Sequence, residues 1–106
     1  MAFSVTSSVA GDVARLVMTG ELDAASAGTF KTEIEKVAGG APTKLVLVMN
    51  DLTFMASAGL RVLIFAKQKL GAKCSVYMVR PQNPIRETLS VTGFDQSVYV
   101  VDEEPK

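Results

Sequence analysis

Hydrophobic and polar positions alternate between two periods along this chain. Phe3, Val5, Ser7 and Val9 alternate with small polar residues, a period of two that predicts a half-buried strand. Ala10-Gly11-Asp12 is a turn signal, and Val13 to Thr19 reads as a second strand, so residues 3–19 predict a hairpin closed by Gly20-Glu21-Leu22-Asp23. Ala27, Phe30, Ile34 and Val37 then recur at helical spacing, with Lys31, Glu33, Glu35 and Lys36 mainly off that face. Asp23 is placed to cap this helix with its carboxylate. Gly39-Gly40 supplies a left-handed stop, and Pro42 prevents continuation. Leu45 to Met49 is a continuous apolar run, which suits a central strand covered on both faces, and Asn50-Asp51 ends it.

After the link Leu52-Thr53-Phe54-Met55, residues 57–70 predict a second helix, apolar at Leu60, Leu63, Ile64 and Phe65 and wet at Arg61, Lys67, Gln68 and Lys69. Its late lysines complement the helix dipole, and Gly71 stops it. Cys74 to Val79 reads as a strand. Asn83-Pro84 provides a cap followed by proline at the first helical position, Ile85 and Leu89 face inward, and Gly93 ends this short helix. Ser97 to Val101 is a last strand and Asp102 to Lys106 a frayed tail. The order β-β-α-β-α-β-α-β predicts an α/β fold: a mixed, mostly parallel sheet of four to five strands with helices packed on it, in one domain over residues 1–106.

Composition narrows the function classes. The 106 residues are 48% hydrophobic, which fits one compact core and excludes a disordered chain. Eleven basic residues balance eleven acidic ones, so no net field draws the chain to nucleic acid or to an anionic membrane. There is no histidine and one cysteine. A disulfide within the chain, a Cys/His zinc site and the Ser-His-Asp and Cys-His constellations are all excluded. Cys74 reads as a small buried hydrophobe. No Walker-type loop or dinucleotide fingerprint occurs, and no cofactor is expected. The pairs Glu33/Glu35 and Glu103/Glu104 fall on a wet helix face and on the tail. The start of the chain lacks a signal peptide pattern, and the apolar runs are too short to span a bilayer, so the expected location is cytoplasmic, without direct membrane insertion.

The informative segment is Asp51-Leu52-Thr53-Phe54-Met55-Ala56-Ser57-Ala58-Gly59-Leu60, which leaves the most apolar strand and opens the most apolar helix. Ser57 stands where an N-cap would stand, and in the plainest reading its hydroxyl satisfies helix N–H groups, a contribution of roughly 1 kcal/mol. The same geometry suits a phosphate, because a helix N-terminus presents unpaired donors and the positive end of the dipole. Phosphorylation adds roughly −1.5 to −2 charges, which a docked partner would not tolerate. Thr53 is a weaker acceptor candidate. Phe54 and Met55 suit either an exposed contact patch or a plug between strand and helix, and Phe54 is assigned to the plug.

Gly20-Glu21-Leu22-Asp23, Leu52 to Leu60 and Val91-Thr92-Gly93-Phe94 together resemble the bacterial anti-sigma factor antagonists, which carry the STAS domain, over roughly residues 3–101. The resemblance implies a binding module, not an enzyme. It implies that an anti-sigma factor with serine kinase activity is the partner, that binding frees a sigma factor, that phosphorylation of Ser57 causes release, and that a serine phosphatase resets the switch. Ser57 falls on the phosphoacceptor position and Asp23 on an acidic position near the same surface, with Thr53, Met55, Ala56, Ala58 and Gly59 completing the implied partner-binding patch. The family usually has aspartate before the acceptor and Ser or Thr after it; here stand Ala56 and Ala58. That departure keeps open a STAS-type subunit that docks on a membrane lipid-transport or stress-signalling complex. A small ligand-binding protein or enzyme is a third reading, disfavoured by the missing histidine and nucleotide loop.

Overall fold

A computed structural model describes residues 2–105. The elements are β1 (Ser4–Ala10), β2 (Val13–Leu22), α1 (Ala27–Ala38), β3 (Lys44–Met55), α2 (Ser57–Leu70), β4 (Ser75–Val79), α3 (Asn83–Thr92), a single 3-10 turn (Phe94–Gln96) and β5 (Tyr99–Val101). The five strands lie in sequence order across one sheet. β1 and β2 are antiparallel, and every later neighbouring pair is parallel. This is the mixed α/β fold that the alternation of periods predicts.

Four parallel strands that advance in one direction, each joined by a right-handed crossover, place all three crossover helices on one face of the sheet. The packing agrees. Phe30 and Ile34 of α1, Leu63 and Ala66 of α2, and Ile85 and Leu89 of α3 share one core with Leu16, Leu45, Leu47 and Met78. On the other face Val46, Val48 and Val79 form a second, smaller cluster flanked by Val13, Val17 and Val101. No helix contributes to it. β3 is thus buried on both faces, as its continuous apolar run indicates, but the helices cover only one of them; its even-numbered valines are covered otherwise.

The segment after β5 is anchored across this face. Asp102 is held by Arg86, whose Nη2 donates to its Oδ1 at 2.9 Å, and by Arg80, whose Nη1 donates to its main-chain carbonyl at 2.7 Å. Arg15 on β2 donates from Nε and Nη2 to the two oxygens of Glu104 at 2.6 and 2.9 Å. To bring Glu104 to β2 the chain crosses β4 and β3, and Val46 and Val48 are only 2% and 5% exposed. The tail expected to fray is thus pinned through Glu104; Lys106 lies outside the described residues.

Other boundaries shift for identifiable reasons. β2 runs on to Leu22 and β3 to Met55, because the parallel ladder between them continues past irregularities at Val17/Thr19 and Gly20/Glu21. Neither Gly20 nor Asn50-Asp51 ends its strand. Gly20, at φ 83, absorbs the second irregularity. α1 ends at Ala38 as expected, but Gly39 is right-handed at φ −59 and the left-handed residue is Ala41, at φ 47. Gly71 and Gly93 both adopt φ 76 and close α2 and α3 as the sequence indicates. α3 is preceded by Gln82 as its cap, so Asn83 and Pro84 are its first and second residues, one position earlier than expected. The last strand is shortened to Tyr99–Val101, and the 3-10 turn before it has no expectation in the hydrophobic pattern.

Candidate functional site

The C-terminal ends of β2 and β3 carry the residues that the motifs single out. The two strands stay paired to their last residues, Leu22 opposite Met55, and the amide of Ala56 donates to the carbonyl of Leu22 at 2.8 Å. This bond sets the start of α2 beside the Leu22-Asp23 junction. Gly59 completes the contact. A β-carbon there would lie 2.7 and 2.9 Å from Cδ2 and Cγ of Leu22 and 3.0 Å from Cγ of Met55, so only glycine lets the helix approach this closely.

Ala56, extended at φ −78 and ψ 167, is the N-cap of α2, and Ser57 is the first helical residue rather than the cap. An alanine cap has no side-chain oxygen to offer, so α2 starts without a side-chain cap hydrogen bond from that position. The carbonyl of Ala56 takes the amides of Gly59 and Leu60 at 2.9 and 3.3 Å. The amides of Ser57 and Ala58 have no acceptor within the helix, as first-turn amides do not. Ser57 itself is exposed, and among the described residues its hydroxyl has no hydrogen-bond partner. It is an accessible hydroxyl at the positive end of a 14-residue helix that carries Lys67 and Lys69 in its last turn and no acidic residue in its first.

Asp23 does not cap α1 directly; Ser26 occupies that position. The two residues close a small ring instead. Asp23 Oδ1 accepts from the amide of Ser26 at 2.9 Å and from its hydroxyl at 2.8 Å, while the amide of Asp23 donates back to Ser26 Oγ at 2.9 Å. The Ser26 hydroxyl, and then its amide, hold the Asp23 carboxyl below the usual aspartate range. A fixed anionic carboxylate therefore stands exposed next to Leu22. An open groove lined by Phe3, Glu21, Asp23, Ser26 and Thr29 lies beside it. The hydrophobic pattern did not reveal Ser26; the Asp-x-x-Ser spacing, a turn former whose side chain meets a hydroxyl three residues on, was the available signal.

The remaining candidates divide between surface and support. Thr53 donates its hydroxyl to the carbonyl of Gly20 at 3.0 Å, and so ties β3 to the irregularity in β2. Phe54 is 48% exposed and Met55 8%, which reverses the assignment of the plug: Met55 fills the space under α2, and Phe54 faces outward. Ala56 and Ala58 are half-buried, and Gly59 is buried. Of the implied patch, Asp23, Thr53 and Ser57 reach the surface fully, while Met55 and Gly59 position the helix beneath it. Cys74 is buried, and burial pushes its thiol up. Among the described residues no group of three or more His, Cys, Asp or Glu side chains could hold a metal ion, and no helix is long and apolar enough to cross a membrane.

The chain matches the family model described as the STAS domain over residues 5–105. The anti-sigma-F factor antagonist RsfB of Mycobacterium tuberculosis is 29% identical over 96 residues, 89% of this chain and 79% of that protein. An anti-sigma factor antagonist from Mycobacterium paratuberculosis superposes with a TM-score of 0.86 at 23% identity, over 96% of this chain and 87% of that one. The Bacillus cell fate determinant SpoIIAA in its phosphorylated form superposes with a TM-score of 0.73 at 21% identity, over 96% of this chain and 93% of that one. At these identities the solved structures speak to the shared fold.

Proposed function

The chain belongs to the STAS domain family, and from that premise we propose that it is an anti-sigma factor antagonist, a binding module without catalytic chemistry that docks on an anti-sigma factor with serine kinase activity and is released when Ser57 is phosphorylated. The observation that carries this reading is the exposed, unengaged hydroxyl of Ser57 at the first position of α2. A phosphate there meets first-turn amides and the positive end of the dipole, so its own domain accommodates the charge. A protein packed over the same spot would have to desolvate roughly −1.5 to −2 charges beside the anionic Asp23. The switch is local charge at a rigid surface, with no refolding. The names of the relatives support the partner class, and the phosphorylated form of SpoIIAA supports the covalent step. A serine phosphatase would return Ser57 to its binding form.

A second reading has one observation in its favour. Ala56 and Ala58 leave no carboxylate or hydroxyl on either side of Ser57, as suits a STAS-type subunit docked on a larger complex and indifferent to phosphorylation. Affinity capture from lysate of the source cells separates the two, with the native chain, Ser57→Ala and Ser57→Asp as baits. The antagonist reading expects a serine kinase that is retained by Ser57→Ala and depleted by Ser57→Asp. Recovery of transporter or scaffold subunits, equally by all three baits, would overturn it. Ser57→Asp should leave the melting temperature nearly unchanged, because the helix end accepts the charge.

A further inference from the structure

We propose that β1 is a homophilic edge, through which two copies of this chain pair antiparallel about a two-fold axis at Ser7 and join their sheets into one. The inference does not depend on the role of Ser57.

β1 lies at one margin of the sheet, and among the described residues it pairs with β2 alone, so its outer N–H and C=O groups face no described strand. Edges of this kind are usually blunted by lysine, proline, a bulge or shortness. The other margin follows that rule, since β5 is three residues long. β1 follows none of it. Its seven residues, Ser-Val-Thr-Ser-Ser-Val-Ala, contain no charge and no proline, and its register against β2 is unbroken from Ser4 opposite Thr19 to Ala10 opposite Val13. Val9 is 58% exposed on it.

The sequence of the strand complements itself. With Ser7 opposite Ser7 of the second copy, Val5 meets Val9, Thr6 meets Ser8 and Ser4 meets Ala10, each twice by symmetry. Val5, Ser7 and Val9 lie on the helix-bearing face, since they oppose Met18, Leu16 and Ala14, and these three belong to the main core. Both valine pairs therefore fall on that face, flanking the Ser7–Ser7 contact, and the Thr6–Ser8 pairs fall on the other. Such β-branched and hydroxyl cross-strand pairs stabilise antiparallel ladders. A shift of two residues either way sets valine against serine. A shift of one turns the helices of the second copy to the opposite face. This register alone uses all seven residues, pairs both valines with valines and keeps the helices together. The joint is narrow, so the association is reversible and concentration-dependent.

The test uses the single native cysteine being buried. Ser7→Cys and Ser4→Cys proteins are treated with a short bis-maleimide at high protein concentration. The proposed register expects a covalent dimer from Ser7→Cys. It expects none from Ser4→Cys, whose thiols lie six residues out of register, about 20 Å apart, nor from the native chain. Sedimentation of the native chain should show dimer growing with concentration, and Thr6→Lys, which sets charge on the edge while keeping the monomer fold by circular dichroism, should be monomeric. Equal cross-linking of the two cysteine variants, or a native chain that stays monomeric throughout, would overturn the proposal.

Discussion

The β-carbon that position 59 lacks would sit 2.7 Å from Cδ2 of Leu22, a side chain with no exposed surface. Leu22 is enclosed by the core and cannot swing away, and Met55 closes the space from the other side at 3.0 Å. Gly59→Ala therefore forces α2 off the ends of β2 and β3. Overpacking of this kind costs about 1–3 kcal/mol, and in a domain of this size each kcal/mol lowers the melting temperature by about 4–8 °C. Thermal unfolding by circular dichroism measures it. A Gly59→Ala protein as stable as the native one would mean that the helix sits further from Leu22 than 2.7 Å implies.

Asp23 and Ser26 give a pH-dependent prediction of known sign. The Asp23 carboxyl is held below its ordinary value of 3.8, first by the Ser26 hydroxyl and then by its amide. A carboxyl lowered by folding contributes stability above its unfolded value and loses it as pH falls through the folded one. Ser26→Ala removes the first cause. The Asp23 titration, followed by carboxyl carbon NMR, should then move up toward 3.8. A titration unchanged by the substitution would place the cause elsewhere.

Thr53 and Ser57 are both hydroxyls near the proposed docking surface, but only Thr53 is engaged, through its bond to the Gly20 carbonyl. Thr53→Val removes that bond at a cost of about 0.5–1.5 kcal/mol, and Thr53→Ser keeps it. Under the proposed function, incubation with the partner kinase should label Ser57 and leave Thr53 unmodified, as read by mass spectrometry. Ser57→Ala should abolish labelling altogether. Phosphate on Thr53 in the Ser57→Ala protein would contradict the engaged state of its hydroxyl.

What the chain reveals before folding is what short-range physics controls. The stripe of Phe30, Ile34 and Val37 fixes α1, and all three are buried as the spacing requires. Gly71 and Gly93 stop their helices because the chain needs φ 76 at both positions. The exposed Ser57 was equally legible, since a hydroxyl at the end of an apolar strand and the start of an apolar helix has few other places to lie. Illegible were features set by distant partners. Polar Asn50 and Asp51 look like a strand end, yet pairing with β2 carries β3 on to Met55. Phe54 looks like the better plug, yet the register puts Met55 inward. The one-sided stacking of helices follows from strand order, which no local pattern encodes. The anchoring of Glu104 depends on an arginine 89 residues earlier.

That anchor supports the last prediction. Arg15 grips Glu104 with two bonds, one to each carboxylate oxygen, and this hydrogen bonding holds the Glu104 carboxyl below its ordinary value of 4.5. The stabilisation is present above 4.5 and lost as pH falls below it through the folded value. Both side chains are partly exposed, so Glu104→Gln should cost no more than about 1 kcal/mol near neutral pH. The difference from the native chain should shrink in high salt, and shrink progressively as pH falls below 4.5. Removing residues 102–106 should cost more than Glu104→Gln, because it also uncovers Val46, Val48 and Val79. Urea titrations at neutral and acid pH measure both. If the truncated chain proves as stable as Glu104→Gln, the segment does not shield the valines, and their burial has another source within the sheet.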